Sequence, residues 1–478
     1  MRALLKAGAR ANVTTHFGAS PLGEAVKVGD VGLVSALLDA GADPNSPNQD
    51  NQTALMLASN VGASKVAEVL IRRGATVNAV ENFRGQTALM WAAAGNHPEA
   101  VEVLVAHGAD VRVRAKYEDW ARQMTSEPRA QFRHTGGLTA LLYAARSGCY
   151  GCAVAIVKGG ADINQPNPDG ITPLINALDN RSYDIAMFLL DKGANASAWD
   201  MTGRSPLYVA VDMNSFKGPA PFSFGAPTDP HPPSKATAMD VVNRLLNMGV
   251  DPNHELTRMR PNGAGRGRFS DYMLRGGTAP LMVAALGYDP DALKALLAHG
   301  AEVDLPNVFR ITPLMGAAGL TGSFRSAIDP VGGTVPPLGD IQLHAIKAID
   351  LLLDAGANIN ARVTGTHTRT ARLSAYVYNR ENEGKSALFA PAEFGWDKVV
   401  QHLIDRGADP TLRDAAGKTA LDYTREPAPM SPGGTPADDT NGGRYATSNR
   451  AATVAILEAA SSTPGSKAAG DGNATAAK

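Results

Sequence analysis

Apolar residues recur along this chain in short bursts. An alanine-rich burst such as Ala54-Leu-Met-Leu-Ala is followed by a second stretch, Val66-Ala-Glu-Val-Leu-Ile-Arg-Arg, whose apolar positions return at helical spacing. A glycine, Gly74, then closes the pattern as the left-handed residue that ends many helices. The polar stretch that follows is long enough for one tight hairpin-like turn. Each cycle therefore predicts two short helices and a turn, and no apolar run approaches the ~18–20 residues of a membrane-spanning helix.

The cycle repeats. Thr53-Ala-Leu-Met-Leu-Ala, Thr87-Ala-Leu-Met-Trp-Ala, Thr139-Ala-Leu-Leu-Tyr-Ala and Thr172-Pro-Leu-Ile-Asn-Ala share one form, and related starts lie at Ser20, Ser205, Ala279, Thr312, Ser386 and Thr419. Their successive gaps are 33, 34, 52, 33, 33, 74, 33, 74 and 33 residues. A second landmark, Gly-Ala-Asp-x-Asn or a near variant, begins at Gly8, Gly41, Gly74, Gly108, Gly160, Gly193, Gly249, Gly300, Gly356 and Gly407. The Ser or Thr that opens a unit sits where its hydroxyl can accept from a free N–H of the first helical turn. Proline follows it at positions 21, 173, 206 and 313, where a missing N–H costs least.

On these residues the chain resembles the ankyrin repeat, with its period of about 33 residues and its T-P-L-H-x-A signature. The insertions are like those of bacterial members. Met or another residue usually replaces the signature His, and Ala replaces Pro in about half of the units. The resemblance implies an all-α solenoid of stacked helix-turn-helix units, with hairpin fingers along one edge. It covers residues 1–460 as a single array, with 1–12 a partial first repeat and 461–478 a disordered Ser/Gly/Ala-rich tail. Met1–Asn12 reads as a second helix without its first, so the sequence is expected to begin inside a longer protein or at a misassigned start; a half-repeat serving as a frayed cap is the competing reading.

Gaps beyond the basic period mark insertions of two kinds. Three lie in fingers, at about 113–136, 254–278 and 361–384. Three separate the helices of one unit, at about 215–238, 319–343 and 426–449. Ser205, Thr312 and Thr419 are spaced by 107 residues, so the C-terminal half follows a two-repeat super-unit carrying both kinds. The inter-helix insertions are rich in Pro and Gly and read as solvated spacers. Those in the fingers mix arginine with aromatics.

Charge and composition narrow the function. The 478 residues carry 45 Lys+Arg against 46 Asp+Glu, which argues against a molecule that binds polyanions over its whole surface. Aromatics make up only 6%, which suits closely packed small helices. The finger insertions stand apart, with 14 Lys+Arg against 7 Asp+Glu. Arg, Tyr and Trp often anchor protein interfaces. Trp120, Arg122, Arg133, Arg268, Phe269, Tyr272, Arg372, Tyr376 and Tyr378 are accordingly the candidate contacts; packing of one finger on the next is the competing reading. Within the family, positions seven and eight past each cap usually face the concave groove. Here they include Asn60, Arg146, Asp179, Asn180, Asp212, Glu393 and Phe394.

Catalytic chemistry finds little support. The ten histidines show no metal-binding spacing, and Gly263-Ala-Gly-Arg-Gly-Arg lacks the strand and helix that a phosphate loop requires. Cys149-Tyr-Gly-Cys152 opens a second helix; it could be a redox pair or a disulfide, with plain structural packing favoured. No cofactor is expected. The sequence therefore points to a monomeric, non-catalytic ankyrin protein that binds another protein through its groove and fingers. Two alternatives stay open: polyanion or nucleic-acid binding by the basic fingers, and a targeting arm of a longer protein. The compartment stays undetermined, cytoplasmic by default and periplasmic or secreted if a leader lay upstream.

Overall fold

A computed structural model describes residues 2–16, 18–119, 134–215, 234–257, 276–320, 339–365, 382–426 and 449–462. Helix α1 (Arg2–Lys6) stands alone, and helix pairs follow. They are α2 (Pro21–Val28) with α3 (Val31–Asp39), α4 (Ala54–Asn60) with α5 (Ser64–Arg72), and α6 (Ala88–Ala94) with α7 (Pro98–Ala106). After strands β1 (Tyr117–Asp119) and β2 (His134–Gly136) come α8 (Ala140–Ser147) with α9 (Tyr150–Lys158), α10 (Pro173–Asp179) with α11 (Tyr183–Asp191), and α12 (Pro206–Ser215) with α13 (Ala238–Asn247). Next are α14 (Pro280–Leu286) with α15 (Pro290–Ala298) and α16 (Pro313–Ala317) with α17 (Gly339–Asp354). The last pairs are α18 (Phe389–Phe394) with α19 (Asp397–Asp405) and α20 (Ala420–Arg425) with α21 (Arg450–Ser462).

The chain divides into two compact units, Met1–Met213 with Gly225–Val250, and Asn214–Phe224 with Asp251–Lys478. Within the first, inner helices α2, α4, α6, α8 and α10 lie side by side, and outer helices α3, α5, α7, α9, α11 and α13 do the same. In the second unit α16 packs on α14 and α20 on α18. Its outer helices α15, α17, α19 and α21 likewise run in succession. Ala58, Ala92, Ala144 and Ala284 of the inner helices are wholly buried, and so are Leu55 of α4 and Leu70 and Leu104 of the outer helices α5 and α7. Each such leucine contributes roughly 1.5–3 kcal/mol relative to an exposed one.

Local chemistry starts the helices as the sequence suggests. Hydroxyls of Ser20, Thr53, Thr87, Thr139, Thr172, Ser205, Thr312 and Thr419 accept from the N–H three residues on, at 3.0–3.4 Å. Ser386 does not follow suit. Helix α18 begins two residues later, with Leu388 as its cap. Pro391 has no N–H to close onto Ala387, so the first helical bond is the one from Ala392 N to Leu388 O at 3.3 Å.

The ten landmark glycines all have positive φ, between 79° and 98°. Each forms the same two bonds: in α5, Gly74 N donates to Ile71 O and Ala75 N to Leu70 O, both at 2.9 Å. Space is not what selects glycine here, because a methyl group added at any of the ten would meet no atom within 4 Å. Backbone conformation alone does.

The last asparagine of the Gly-Ala-Asp-x-Asn landmark joins successive repeats. Asn45 Nδ2 donates to Gly74 O at 2.8 Å, and Asn45 Oδ1 accepts from Thr76 N at 2.7 Å. Asn12, Asn78, Asn253 and Asn360 make the same two bonds to the next repeat. Asn253 and Asn360 do so across the second and third finger insertions. The insertions therefore leave the register of the ladder intact.

The all-α architecture carries one addition. Strands β1 and β2 pair antiparallel, Tyr117 opposite Gly136 and Asp119 opposite His134, at the base of the first finger insertion. Backbone bonds close the other two insertions at matching places: Leu256 N to Thr278 O at 3.0 Å and Val363 N to Lys385 O at 2.9 Å. The inter-helix insertions fall almost wholly outside the described residues. Helix α21 continues to Ser462, and the remaining tail also lies outside them.

Candidate functional site

The first unit leaves one face of its inner helices open. Four residues past each cap lie Leu57, Trp91, Tyr143 and Asn176, on α4, α6, α8 and α10 in turn. Leu57 and Trp91 are half-buried, Tyr143 is nearly closed off, and Asn176 is half-buried. Asn60, Ala94 and Arg146, three residues further along their helices, are exposed. Val61 is 43% exposed beside them. The Arg146 guanidinium lies 5.0 Å from the centre of the Tyr143 ring, whose hydroxyl accepts from Gln86 Nε2 at 2.7 Å. An apolar floor with a polar rim is the usual make-up of a protein-binding surface.

Of the groove candidates read from the sequence, Arg146 is thus on this open face. Asn180 is half-buried and donates from Nδ2 to Asn176 O at 2.8 Å, finishing α10. Asp179 is not open: it is buried and accepts from Arg204 Nη1 at 2.9 Å. Arg204, 1% exposed, also donates from Nε to Asp200 Oδ2 at 2.7 Å. Burial alone would disfavour its charge, but Asp179 and Asp200 outweigh that and hold its pKa above the ordinary value. The pair is 25 residues apart in sequence, and the reading by repeat position had no means of finding it.

In the second unit α14 and α16 offer no comparable face. Every residue of α14 and α16 is buried. On α18, Phe394 is buried with its ring 5.4 Å from that of Trp396. Glu393 is half-buried, and its carbonyl accepts from Arg450 Nη2 at 2.9 Å. Phe394 belongs to the packing of that unit rather than to an open groove.

Trp120, Arg122, Arg133, Arg268, Phe269, Tyr272, Arg372, Tyr376 and Tyr378 lie outside the described residues. The stems of the finger insertions are described, and two of them show where part of the arginine excess goes. Arg114 donates to the carbonyls of Gly137 and Pro166. Arg362, at the matching place, donates to those of Gly384 and Arg413. These two side chains clamp a finger to its neighbour. At the fingers' exposed surface stand Phe83, 76% exposed, Tyr117 at 58% and Trp199 at 59%.

The open row was legible in principle. Leu57, Trp91 and Tyr143 occupy the variable place of the signature, just before its last Ala, and large side chains at an unconstrained repeat position are the signal. Positions seven and eight drew attention away from position four.

Cys149 and Cys152 are joined as a disulfide, which the preference for plain packing did not anticipate. Both are buried. Cys149 caps α9, its sulfur accepting from Cys152 N at 3.2 Å, and this geometry brings the sulfurs together. Among the described residues no group of three His, Cys, Asp or Glu side chains is placed to hold a metal ion, and no helix is long and apolar enough to cross a membrane.

Tandem pairs of short antiparallel helices, capped by Thr or Ser, closed by left-handed glycine and linked by hairpin turns, define a class of repeat protein. Models of that class match the chain directly. Ankyrin repeats in several copies match residues 1–81, 22–115, 78–167 and 141–218, and a single ankyrin repeat matches residues 276–308. The chain belongs to the ankyrin-repeat family, whose arrays generally serve as protein-interaction modules.

Proposed function

We propose that this chain is a non-catalytic protein-binding module that takes its partner along the inner-helix face of the first unit. Leu57 and Trp91 form the apolar floor, and Asn60 and Arg146 read polar groups at the rim. The observation that carries this reading is the unequal burial of the inner helices. Helices α4, α6 and α10 keep Leu57, Trp91 and Asn176 partly open, whereas α12, α14 and α16 have nothing comparable to offer. A stiff array loses little conformational entropy on binding, which favours affinity. Of the finger residues, Trp120 is a further candidate contact for this partner, with Arg122 and Arg133 answering acidic groups; Phe269, Tyr272, Tyr376 and Tyr378, with Arg268 and Arg372, are candidate contacts of the second unit's own insertions.

The test places a photo-activated cross-linking residue at Asn60 or Arg146, and as a control at the exposed outer-helix residue Glu102. One partner should be trapped from the groove positions only. Trp91→Ala should weaken that partner by about 1–2 kcal/mol or more while leaving the helical content unchanged. Trp120→Ala and Tyr272→Ala test the fingers in the same assay. Equal trapping from Glu102, or full affinity in Trp91→Ala, refutes the groove reading. Binding to nucleic acid instead would fall steeply with salt. The carbonyl-bound Arg114 and Arg362 weigh against that alternative. The buried disulfide supports a compartment in which thiols are oxidised.

A further inference from the structure

Seven residues past the caps of α4, α6 and α8 stand Asn60, Ala94 and Arg146, all exposed. These three inner helices lie side by side, so the side chains form a row whose neighbours are roughly 8–10 Å apart. The middle member is only a methyl group. The row therefore dips between Asn60 and Arg146, over Ala94 and the half-buried Trp91 one turn earlier on the same helix. Gly95, also exposed, adds no side chain at the edge of the dip.

Charge on this face is one-sided. Helices α4 and α6 carry no charged side chain, and α8 carries Arg146. The acids of α10 and α12, Asp179 and Asp212, are both buried. On α2, Glu24 and Lys27 neutralise each other at 2.8 Å. Arg146 is thus the open charge on the inner helices α4 to α12, and it is held in place. Its guanidinium sits 5.0 Å from the centre of the Tyr143 ring, whose hydroxyl Gln86 fixes at 2.7 Å. A cation steadied on an aromatic face has less freedom left to lose when a partner arrives.

We propose that this dip takes an extended segment of a second protein in which an Asp or Glu stands two residues from an apolar residue. The inference rests on the groove reading above and names what the groove accepts. Alternate side chains of an extended chain project to one side about 6.5 Å apart. One apolar side chain then settles on Ala94 and Trp91 while the carboxylate two positions away meets the Arg146 guanidinium, whose fork can donate two parallel bonds. Asn60, across the dip, bonds the backbone of the segment. A basic segment would bring like charges together as water is excluded, and is selected against.

The probe is a displayed library of random peptides, selected on the full-length protein and re-measured as fluorescein-labelled synthetic peptides by anisotropy. Enriched families should carry Asp or Glu two positions from a large apolar residue. Ala94→Phe, which fills the dip, and Arg146→Glu should each weaken them about tenfold or more. Replacing the acid of the peptide by lysine should restore its binding to Arg146→Glu. Both positions are exposed, so both variants should keep their helical content, which circular dichroism checks. Peptides lost in Trp91→Ala but indifferent to Ala94→Phe and Arg146→Glu overturn the inference and leave the groove reading standing. Peptides that bind Trp91→Ala as tightly as the parent refute the groove reading itself. Enriched families without an acid, or no enrichment, overturn the inference as well.

Discussion

The asparagine ladder makes a prediction that runs in both directions. Asn45 satisfies two backbone groups of the next repeat, at 2.8 and 2.7 Å. Both groups are near solvent, so each bond exchanges for one to water and is worth about 0.5–1 kcal/mol net. Asn45→Ala should therefore destabilise the first unit by about 1–2 kcal/mol. The equivalent place after Gly193 is Ser197, which is exposed and too short to span the gap. The group it would meet within its own unit is the carbonyl of Gly249, whose φ of 79° matches the other landmark glycines. Ser197→Asn should add a rung. That new bond, less the entropy of fixing one longer side chain, leaves a gain of about 0.5 kcal/mol. Neighbouring repeats stabilise each other through their interfaces, so the effect should appear in the transition that includes this repeat. Urea denaturation followed by circular dichroism reads both variants. A Ser197→Asn midpoint no higher than that of the parent, alongside a destabilised Asn45→Ala, would refute the claim that the rung is portable.

Two further outcomes follow from buried groups. Arg204→Met should cost about 3–5 kcal/mol, because it strands the Asp179 and Asp200 carboxylates without their counter-charge; a loss below about 1 kcal/mol in a chemical melt would contradict the ion-pair assignment. The Cys149–Cys152 bond closes so short a loop that chain entropy assigns it only about 2 kcal/mol. Reductant should lower the melting temperature slightly without abolishing the fold, and thiol trapping of protein taken directly from its cells should find both cysteines oxidised. Free thiols in that experiment would remove the oxidising compartment.

Much of the fold was written in local chemistry. Thr53, Thr87 and Thr172 announce their helices because a capping hydroxyl acts within three residues, and Gly74 ends one because only its own backbone conformation is at stake. Ser386 misled because the deciding residue, Pro391, lies five positions on. What required coordinates was pairing at long range. Asp179 reads as an open groove residue until Arg204 is found against it, and Asn45 reads as turn composition until Gly74 of the next repeat is found to be its acceptor. Burial was the other hidden quantity. Leu57 and Leu286 look alike as letters, yet the first is half-buried and the second is closed off within its unit.

The closed stems beneath the finger insertions have a consequence for how such a chain can change. At the second of them, Leu256 bonds Thr278, and Asn253 reaches past the whole segment to Gly300. The anchors on either side of that segment hold their register whatever its length, like a fixed holder. A change of sequence or length between them should therefore leave the packing of the described helices beneath unaltered. An engineer could transplant the segment between Leu256 and Thr278 into the seat between Val363 and Lys385.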